Sequence, residues 1–436
     1  MKETAYDTIV LGGGISGLVA AYSHQKKGKK VLLLEASDKL GGVIETIIKE
    51  GYRLEQGPNS ILTNAELQQL MEELGIAPKI RKNESIASTR YLLFKDMPLK
   101  MKPDWTFFKS GFLTPSMVWA FLTELFRKKS TLKEESIASF IRRRLNADIL
   151  NRMINPLVTG IYAGDPEKLS LRATFKKLYA MEQDYGSLVG AMFKRDKNAH
   201  KREAMSFDKG LITLIDALGA TLNHVKLNTV VTAVKSLNEG FNISYNSNGK
   251  TADFVGKEIV STLPAPIFSN ICSFLEPDLA KEIAAIEYAP MMLLYLAYPT
   301  GAVGQALDGF GYLNAQQENQ PYLGGIWTSA IFPEVAKKGT HLFTLFVGGV
   351  HNKAILTKPK EAIIKAKLAF EKHMNISSET TFQHHYVVEK AIPQFNLGYY
   401  KLMEKVDAVE KSYPGFQISG NWRTGVAIGD CVAGNL

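Results

Sequence analysis

Cysteine is scarce in this chain. Its 436 residues carry two, Cys272 and Cys431. They lie far apart and in no metal-ligand spacing, which argues against a disulfide framework, an iron–sulfur cluster or a structural zinc site and leaves both as buried packing residues. Long apolar runs are missing as well. No stretch reaches the roughly 18 uninterrupted apolar residues of a membrane span, so nothing is expected to cross a bilayer. The first residues, Met1 to Asp7, are polar and run straight into an apolar strand, which leaves no room for a secretory signal and predicts a location inside the cell. Acidic residues are the minority charge, 43 against 52 basic ones, for a net charge of +9 and a pI near 9.1. That balance favours an anionic partner: nucleic acid, an acidic membrane surface or a polycarboxylate substrate. The hydrophobic content of 45% and mean hydropathy of -0.07 are those of a globular protein, and the length implies two or three domains.

What is present begins with a nucleotide pocket. Thr8, Ile9, Val10 and Leu11 feed directly into Gly12, Gly13, Gly14, Ile15, Ser16 and Gly17, which satisfies GxGxxG at positions 12, 14 and 17. The first glycine permits a sharp turn and the second lets backbone approach a pyrophosphate. The third lets the next helix pack closely, with its N-terminal amides facing the anion. That helix runs out near Gly28, and Lys30 to Leu34 make the next strand. Glu35, 18 positions after Gly17, stands where an acid accepts hydrogen bonds from a ribose. Strand, turn, helix, strand and acid together predict a dinucleotide.

A second glycine turn follows in Ala36, Ser37, Asp38, Lys39, Leu40, Gly41 and Gly42, and would bring Lys39 and more amides to the same phosphates. The run EASDKLGGVIET, which includes Val43, resembles the paired-glycine motif of the FAD-dependent amine oxidase superfamily, whose members include phytoene desaturases and protoporphyrinogen oxidases. The resemblance implies FAD, and neither cysteine sits in a setting that suggests a thioether to it, so binding should be non-covalent. Gly57, Pro58, Asn59 and Ser60 resemble the segment that passes the flavin ring, and Gly57-Pro58 reads equally as a plain turn. Ile259 to Ala265, with Thr262, resembles the strand that returns towards FAD. Val231 would lie against the adenine or simply be a buried hydrophobe. Ser419 to Cys431, with Trp422, Gly425 and Val426, resembles the second FAD sequence near the end of such chains.

The resemblance narrows at NPLVTGIYAGDPEKLS, residues 155–170, and at Tyr185, Gly186, Ser187, Leu188. Both are similar to segments of the oxygen-dependent protoporphyrinogen oxidases. That likeness implies Gly164 against the tetrapyrrole, where any side chain would fill the pocket, or else a loop glycine. It further implies Leu313 and Ile326 on one pyrrole ring, Phe346 on another and Arg90 paired with a propionate, although the first three read equally as core strand residues and Arg90 as a surface residue. Ala391 to Tyr399 resembles a further family element. His384 and His385 face opposite sides of a strand and disfavour a metal site.

Between Asp104 and Lys129, Trp105, Phe107, Phe108, Phe112, Trp119, Phe121 and Phe126 alternate with Lys102, Lys109, Arg127, Lys128 and Lys129. This fits either an anionic headgroup surface or a helical subdomain packing its own core. Arg142, Arg143 and Arg144 read as a solvated face, and no fold suited to nucleic acid is evident.

The expected architecture is α/β: a discontinuous Rossmann-like FAD-binding domain (1–85, 205–265, 405–436), an inserted mixed-sheet substrate domain (86–100, 266–404) and a helical membrane-association domain (101–204). The implied reaction is the six-electron oxidation of protoporphyrinogen IX in haem biosynthesis, with molecular oxygen as acceptor and hydrogen peroxide formed. No catalytic base or metal is identified. The implied partners are the porphyrinogen, oxygen and the inner face of the cell membrane, met peripherally from the cytoplasm, without nucleic acid; a homodimer stays open. Alternatives are coproporphyrinogen as substrate, another paired-glycine flavin amine oxidase, desaturase or mutase, and a non-catalytic porphyrin-binding flavoprotein.

Overall fold

The computed structural model describes residues 6–83, 85–193 and 204–436. Residues 1–5 of the polar start and residues 194–203 at the end of the expected helical domain lie outside the described residues. The opening apolar run forms the strand Tyr6–Leu11, paired in parallel with Val31–Leu34 on one side and with the second half of Lys250–Ser261 on the other. Val225–Lys226 and Phe416–Ile418 complete the parallel part. A strand covered on both faces is apolar throughout, and Ile9, Val10, Leu11, Leu33 and Ile259 are fully buried. The first half of Lys250–Ser261 pairs antiparallel with Phe241–Ser247, which pairs with Thr229–Ser236. Asn248 and Gly249, at φ 51° and 77°, make the hairpin turn expected of Asn-Gly.

Residues 225–231 hold two strands, because Asn228 at φ 51° separates them and gives its amide to the Ser37 carbonyl. One expectation shifts here. Residues 266–286, assigned to the substrate half, pack with this first sheet: the helices Ala265–Ile271 and Pro277–Ala284 bury Phe268, Ile271 and Ile283 in its core.

A second seven-stranded sheet runs in the order Phe382–Pro393, Tyr288–Pro299, Thr340–Gly348, Gly324–Ile326, Gly311–Leu313, Tyr91–Phe94, Met97–Lys100. Side chains alternate across a strand. One face buries Tyr91, Tyr312, Tyr322 and Leu345 together with Phe370 and His373 of the helix Pro359–His373. The other face is left for the cavity described below.

The third region is helical but not one continuous helix: it runs as Ile137–Arg144, a break, Ala147–Ile149, a wide turn over Leu150–Ile154 and then Asn155–Tyr162. Pro156 has no N–H to give and cannot continue the ordinary ladder, so the chain widens ahead of it. Nor is the arginine run a solvated face. Arg144 is fully buried and paired with the fully buried Glu124, while Arg143 is clamped between Glu135 at 2.7 Å and Glu182 at 2.8 Å. Glu124 also accepts from the Ser187 hydroxyl at 2.5 Å and the Leu188 and Val189 amides at 2.9 and 3.1 Å. The Tyr-Gly-Ser-Leu element is therefore a turn wrapped on a buried carboxylate.

The aromatic segment divides between its two readings. Phe107, Phe112 and Met117 are buried in the helical core, whereas Trp105, Phe108, Trp119, Leu122, Leu125 and Phe126 are exposed. No helix among the described residues is long and apolar enough to cross a membrane.

Candidate active site

The dinucleotide cradle is built from backbone. Gly12 sits at φ 101°, and a Cβ on Gly17 would stand 1.9 Å from the Gly12 carbonyl, so turn and helix meet only as glycines. A Cβ on Gly14 would meet nothing within 4 Å, and one on Gly42 would stand 3.3 Å from the Gly14 Cα. Gly14 and Gly42 thus face the same open space. The helix Ile15–Lys26 starts there with Gly14 as N-cap and no side chain capping it, while Ser16 is buried beneath. Its first amides and its dipole suit an anion. The Thr262 hydroxyl donates to the Leu11 carbonyl at 2.9 Å and packs against Gly12 and Gly17, which locks the turn to the returning strand. These features fit a dinucleotide pyrophosphate.

Glu35 ends its strand half-exposed. Its carboxylate accepts from the Gly13 amide at 2.6 Å and from the Ser37 amide and hydroxyl at 2.8 Å each. Lys39 is not where it was expected. It pairs with Glu45 and lines a separate surface groove with Ile212 and Asp216. Ala36 is exposed beside Glu35, and Val231 is buried in the core of the first sheet.

Next to the cradle lies a cavity of about 630 Å³. Its floor is one register row across the second sheet: Leu293 opposite Phe346, Phe346 opposite Gly324, Gly324 opposite Leu313, Leu313 opposite Leu92. All five line the cavity. The glycine at the centre leaves a broad shallow surface between larger neighbours. Ile326 and Gly311 border the row, Ala391, Ile392 and Pro393 form one side, and Leu157, Gly160 and Ile161 of the helix Asn155–Tyr162 lie across from it. Val43, Gly57, Pro58, Asn421 and Val426 close the end towards the cradle. Segments far apart in sequence thus bring the expected flavin and substrate residues to one space.

Arg90 is the one charged side chain among the described lining residues. It is exposed at the cavity's rim and stacks over Phe310 at 4.4 Å, and partial desolvation lowers its guanidinium's pKa from the ordinary value. The lining hydroxyls of Tyr91 and Thr159 are already committed, to Asp308 and to the Asn155 and Pro156 carbonyls.

Gly164 is not at the cavity. A Cβ there would strike the Gln394 carboxamide oxygen at 2.3 Å and Leu169 at 2.8 Å, not fill the pocket. It belongs to a clamp in which Gln394 donates to the Tyr162 carbonyl at 2.9 Å and the Ser170 amide donates to the Phe395 carbonyl at 2.8 Å. The glycine that faces the cavity is Gly160, whose Cβ would meet Leu313 at 2.7 Å. Sequence reading missed Gly160 although it stands in the same motif; a glycine inside a helix, costing about 1 kcal/mol against alanine, was the available signal. Trp422 is also behind the wall, buried, with its indole donating to the Leu263 carbonyl at 2.9 Å. Gly425, at φ 139°, has its Cβ space taken by Asp430. Asn59 is buried behind Gly57, and Ser60 is half-buried at the end of the same turn. The carboxyl of Glu55, just ahead of that turn, is pushed up to about 7 by burial, against hydrogen bonds from Thr46 and the Leu211 amide. No group of metal-ligating side chains occurs among the described residues.

Comparison with known proteins agrees with this geometry. Residues 15–434 match the family model for flavin containing amine oxidoreductase. The chloroplastic protoporphyrinogen oxidase 1 of Arabidopsis thaliana is 30% identical over 98% of this chain and 86% of its own length. The coproporphyrinogen III oxidase of Bacillus subtilis (strain 168) is 27% identical over 99% of this chain and 97% of its own. A solved protein of Exiguobacterium sp. 255-15 superposes with a TM-score of 0.82 at 22% identity, covering 99% of this chain and 97% of the other. The chain therefore belongs to the flavin containing amine oxidoreductase family, as a flavin-dependent oxidoreductase.

Proposed function

We propose that this protein oxidises protoporphyrinogen IX to protoporphyrin IX with non-covalently bound FAD, and that molecular oxygen takes the electrons as hydrogen peroxide. The observation that carries the reading is the cavity: a broad apolar floor with a glycine at its centre, set against the flavin end, with a single charged group at its rim. Such a surface suits a large tetrapyrrole, and a guanidinium suits a propionate.

FAD would be held by the amides after Gly12, Gly14 and Gly17, by the turn at Gly41 and Gly42, by Glu35 and by the wall of Val43, Gly57, Pro58 and Val426. When bound, flavin supplies hydride acceptance from the macrocycle. The chain's own share is positional. Leu313, Ile326 and Phe346 hold the macrocycle against that wall, and Arg90 fixes its carboxylate edge. The apolar lining suits the ring faces of the macrocycle. No lining carboxylate, imidazole, thiol or amine occurs among the described residues, so pyrrole protons leave to solvent. We further read the chain as the three regions expected from the sequence, with residues 266–286 moved to the first.

The relatives include proteins named for either porphyrinogen. One lining cation favours the dicarboxylate over a substrate with carboxylates on all four rings. The exposed Trp105, Phe108, Trp119, Leu122, Leu125 and Phe126 support peripheral association with an anionic membrane at the inner face of the cell membrane, with Lys102, Lys109 and Lys128 exposed among them. Arg127 and Lys129, expected to meet phosphates, are turned to the Arg143 and Gln183 carbonyls at 2.9 and 2.7 Å.

Purified protein given each porphyrinogen, with porphyrin fluorescence and peroxide followed together, tests the proposal. Faster turnover of protoporphyrinogen with about three peroxides per porphyrin is expected from the six-electron stoichiometry. Faster turnover of coproporphyrinogen would reverse the substrate assignment, and porphyrin binding without peroxide would leave a non-catalytic flavoprotein.

A further inference from the structure

Beside Asn59, two residues past Gly57, lies a second, small chamber of about 10 Å³. Its lining is polar where the main cavity is apolar: Arg53, Glu55, Asn59, Ser206, Thr328 and Thr344 all contribute. That volume is about one water molecule, and a buried water is stable where two to four polar partners converge.

Several of these partners have unused capacity. Ser206 is buried and lines the chamber. The Asn59 amide nitrogen makes one long contact, 3.4 Å to the Gly57 carbonyl, and its carbonyl oxygen makes none. Glu55 accepts one bond at each oxygen, from the Thr46 hydroxyl at 2.7 Å and the Leu211 amide at 3.1 Å, and each oxygen can take another. Arg53 donates to the Asp208 carbonyl at 2.5 Å and to Glu334 at 2.9 Å, with further donors remaining. By contrast the Thr328 and Thr344 hydroxyls bond to each other at 2.8 Å, and Tyr295 donates to the Glu55 carbonyl at 2.6 Å. A water in the chamber would give these polar groups a shared hydrogen-bond partner.

We propose that this chamber is a binding site for one ordered water, which joins Ser206 and Asn59 to the Glu55 carboxyl and so ties the turn that carries Gly57 to a buried acid. The groups that face Glu55 are Arg53 on its own strand and Tyr295 on the neighbouring sheet, with Glu334 held on Arg53. A hydrogen-bond donor in the chamber favours the ionised acid and opposes the burial that raises it.

The test uses the flavin-loaded protein. A high-resolution crystal structure should show one solvent peak within hydrogen-bond reach of the Ser206 Oγ and the Asn59 Oδ1, and a chamber without that peak overturns the site. Carbon-13 NMR of the Glu55 carboxyl then tests the link. Ser206→Val fills the chamber and should raise the Glu55 midpoint by about half a unit or more, while Ser206→Ala, which removes one partner and keeps the room, should raise it less. A midpoint unmoved in both, with flavin content and melting temperature retained, overturns the coupling. Should the valine variant fail to fold, the crystal peak and the alanine titration decide.

Discussion

Around the dinucleotide cradle a side chain is an intrusion: a Cβ on Gly17 would stand 1.9 Å from the Gly12 carbonyl, and the surface offered to a ligand is amides and a helix end. Across the cavity floor side chains are the surface, and Leu293, Phe346 and Leu313 meet there because four strands share a register. The cradle is therefore written in consecutive residues and recognises charge that many cofactors share. The cavity is written in register and offers an apolar shape with Arg90 at its edge. Mutations should fail differently in the two places, by backbone exclusion in the first and by graded loss of contact in the second.

The harshest break of that contrast is Gly17→Val. The added atoms collide with backbone that cannot move aside, so loss of folded protein is expected in expression and circular dichroism. Gly14→Val separates folding from binding, because its Cβ points into open space. It should keep the fold and lose flavin absorbance; full flavin content would mean that the pyrophosphate does not lie there.

Glu55 joins the two regions and gives a pH signature. Its folded pKa, pushed up to about 7, lies above the unfolded value of 4.5. The acid form is thus the one the fold favours, so its contribution is complete below about pH 4.5 and is lost as pH rises through 7, on the order of 3 kcal/mol in all. Glu55→Gln should flatten that part of the melting-temperature profile between about pH 4.5 and 7. A slope equal to that of the parent would remove Glu55 as its source.

At the cavity, Arg90→Ala should raise KM with flavin content intact. Losing a charge-assisted hydrogen bond costs roughly 1.5–3 kcal/mol, about one to two decades in kcat/KM, and lysine should restore only part because it has no fork. Phe346→Ala is the comparison, since it should weaken any tetrapyrrole whatever its carboxylates. If Arg90→Ala hurts protoporphyrinogen and its uncharged diester equally, the substrate does not lie with its propionate there.

The smallest effect on the folded protein is expected at the exposed aromatics. Changing Trp119, Leu122, Leu125 and Phe126 to serine should leave melting temperature and flavin within error and reduce flotation with anionic liposomes. Phe112→Ser, in the same segment but buried, should cost about 3–5 kcal/mol of stability. Unchanged flotation in the first variant would end the membrane reading.

The dinucleotide site was legible because everything it needs lies between Tyr6 and Glu35 and is enforced by local sterics: glycine where φ is positive or atoms approach, an apolar run for a buried strand, an acid at a strand end. Sequence could likewise name Leu313, Ile326, Phe346 and Arg90 as cavity residues through their motifs, and the Asn-Gly hairpin through its turn. It could not decide which half of a motif faces inward. Gly160 and Gly164 stand four residues apart, and only the packing of Gln394 and Leu169 sends the second away from the cavity. It misread Arg144 because a buried arginine is affordable only with a partner such as Glu124, twenty positions earlier, and that pairing exists once two helices meet. Lys39 went astray for the same reason, since Glu45 competes for it only in three dimensions. What the chain determined alone was the set of local conformations and the chemistry available. Which side chains face one another, and so where the cavity ends and the core begins, was decided by tertiary register and packing, because burial depends on contacts between residues that the sequence holds far apart.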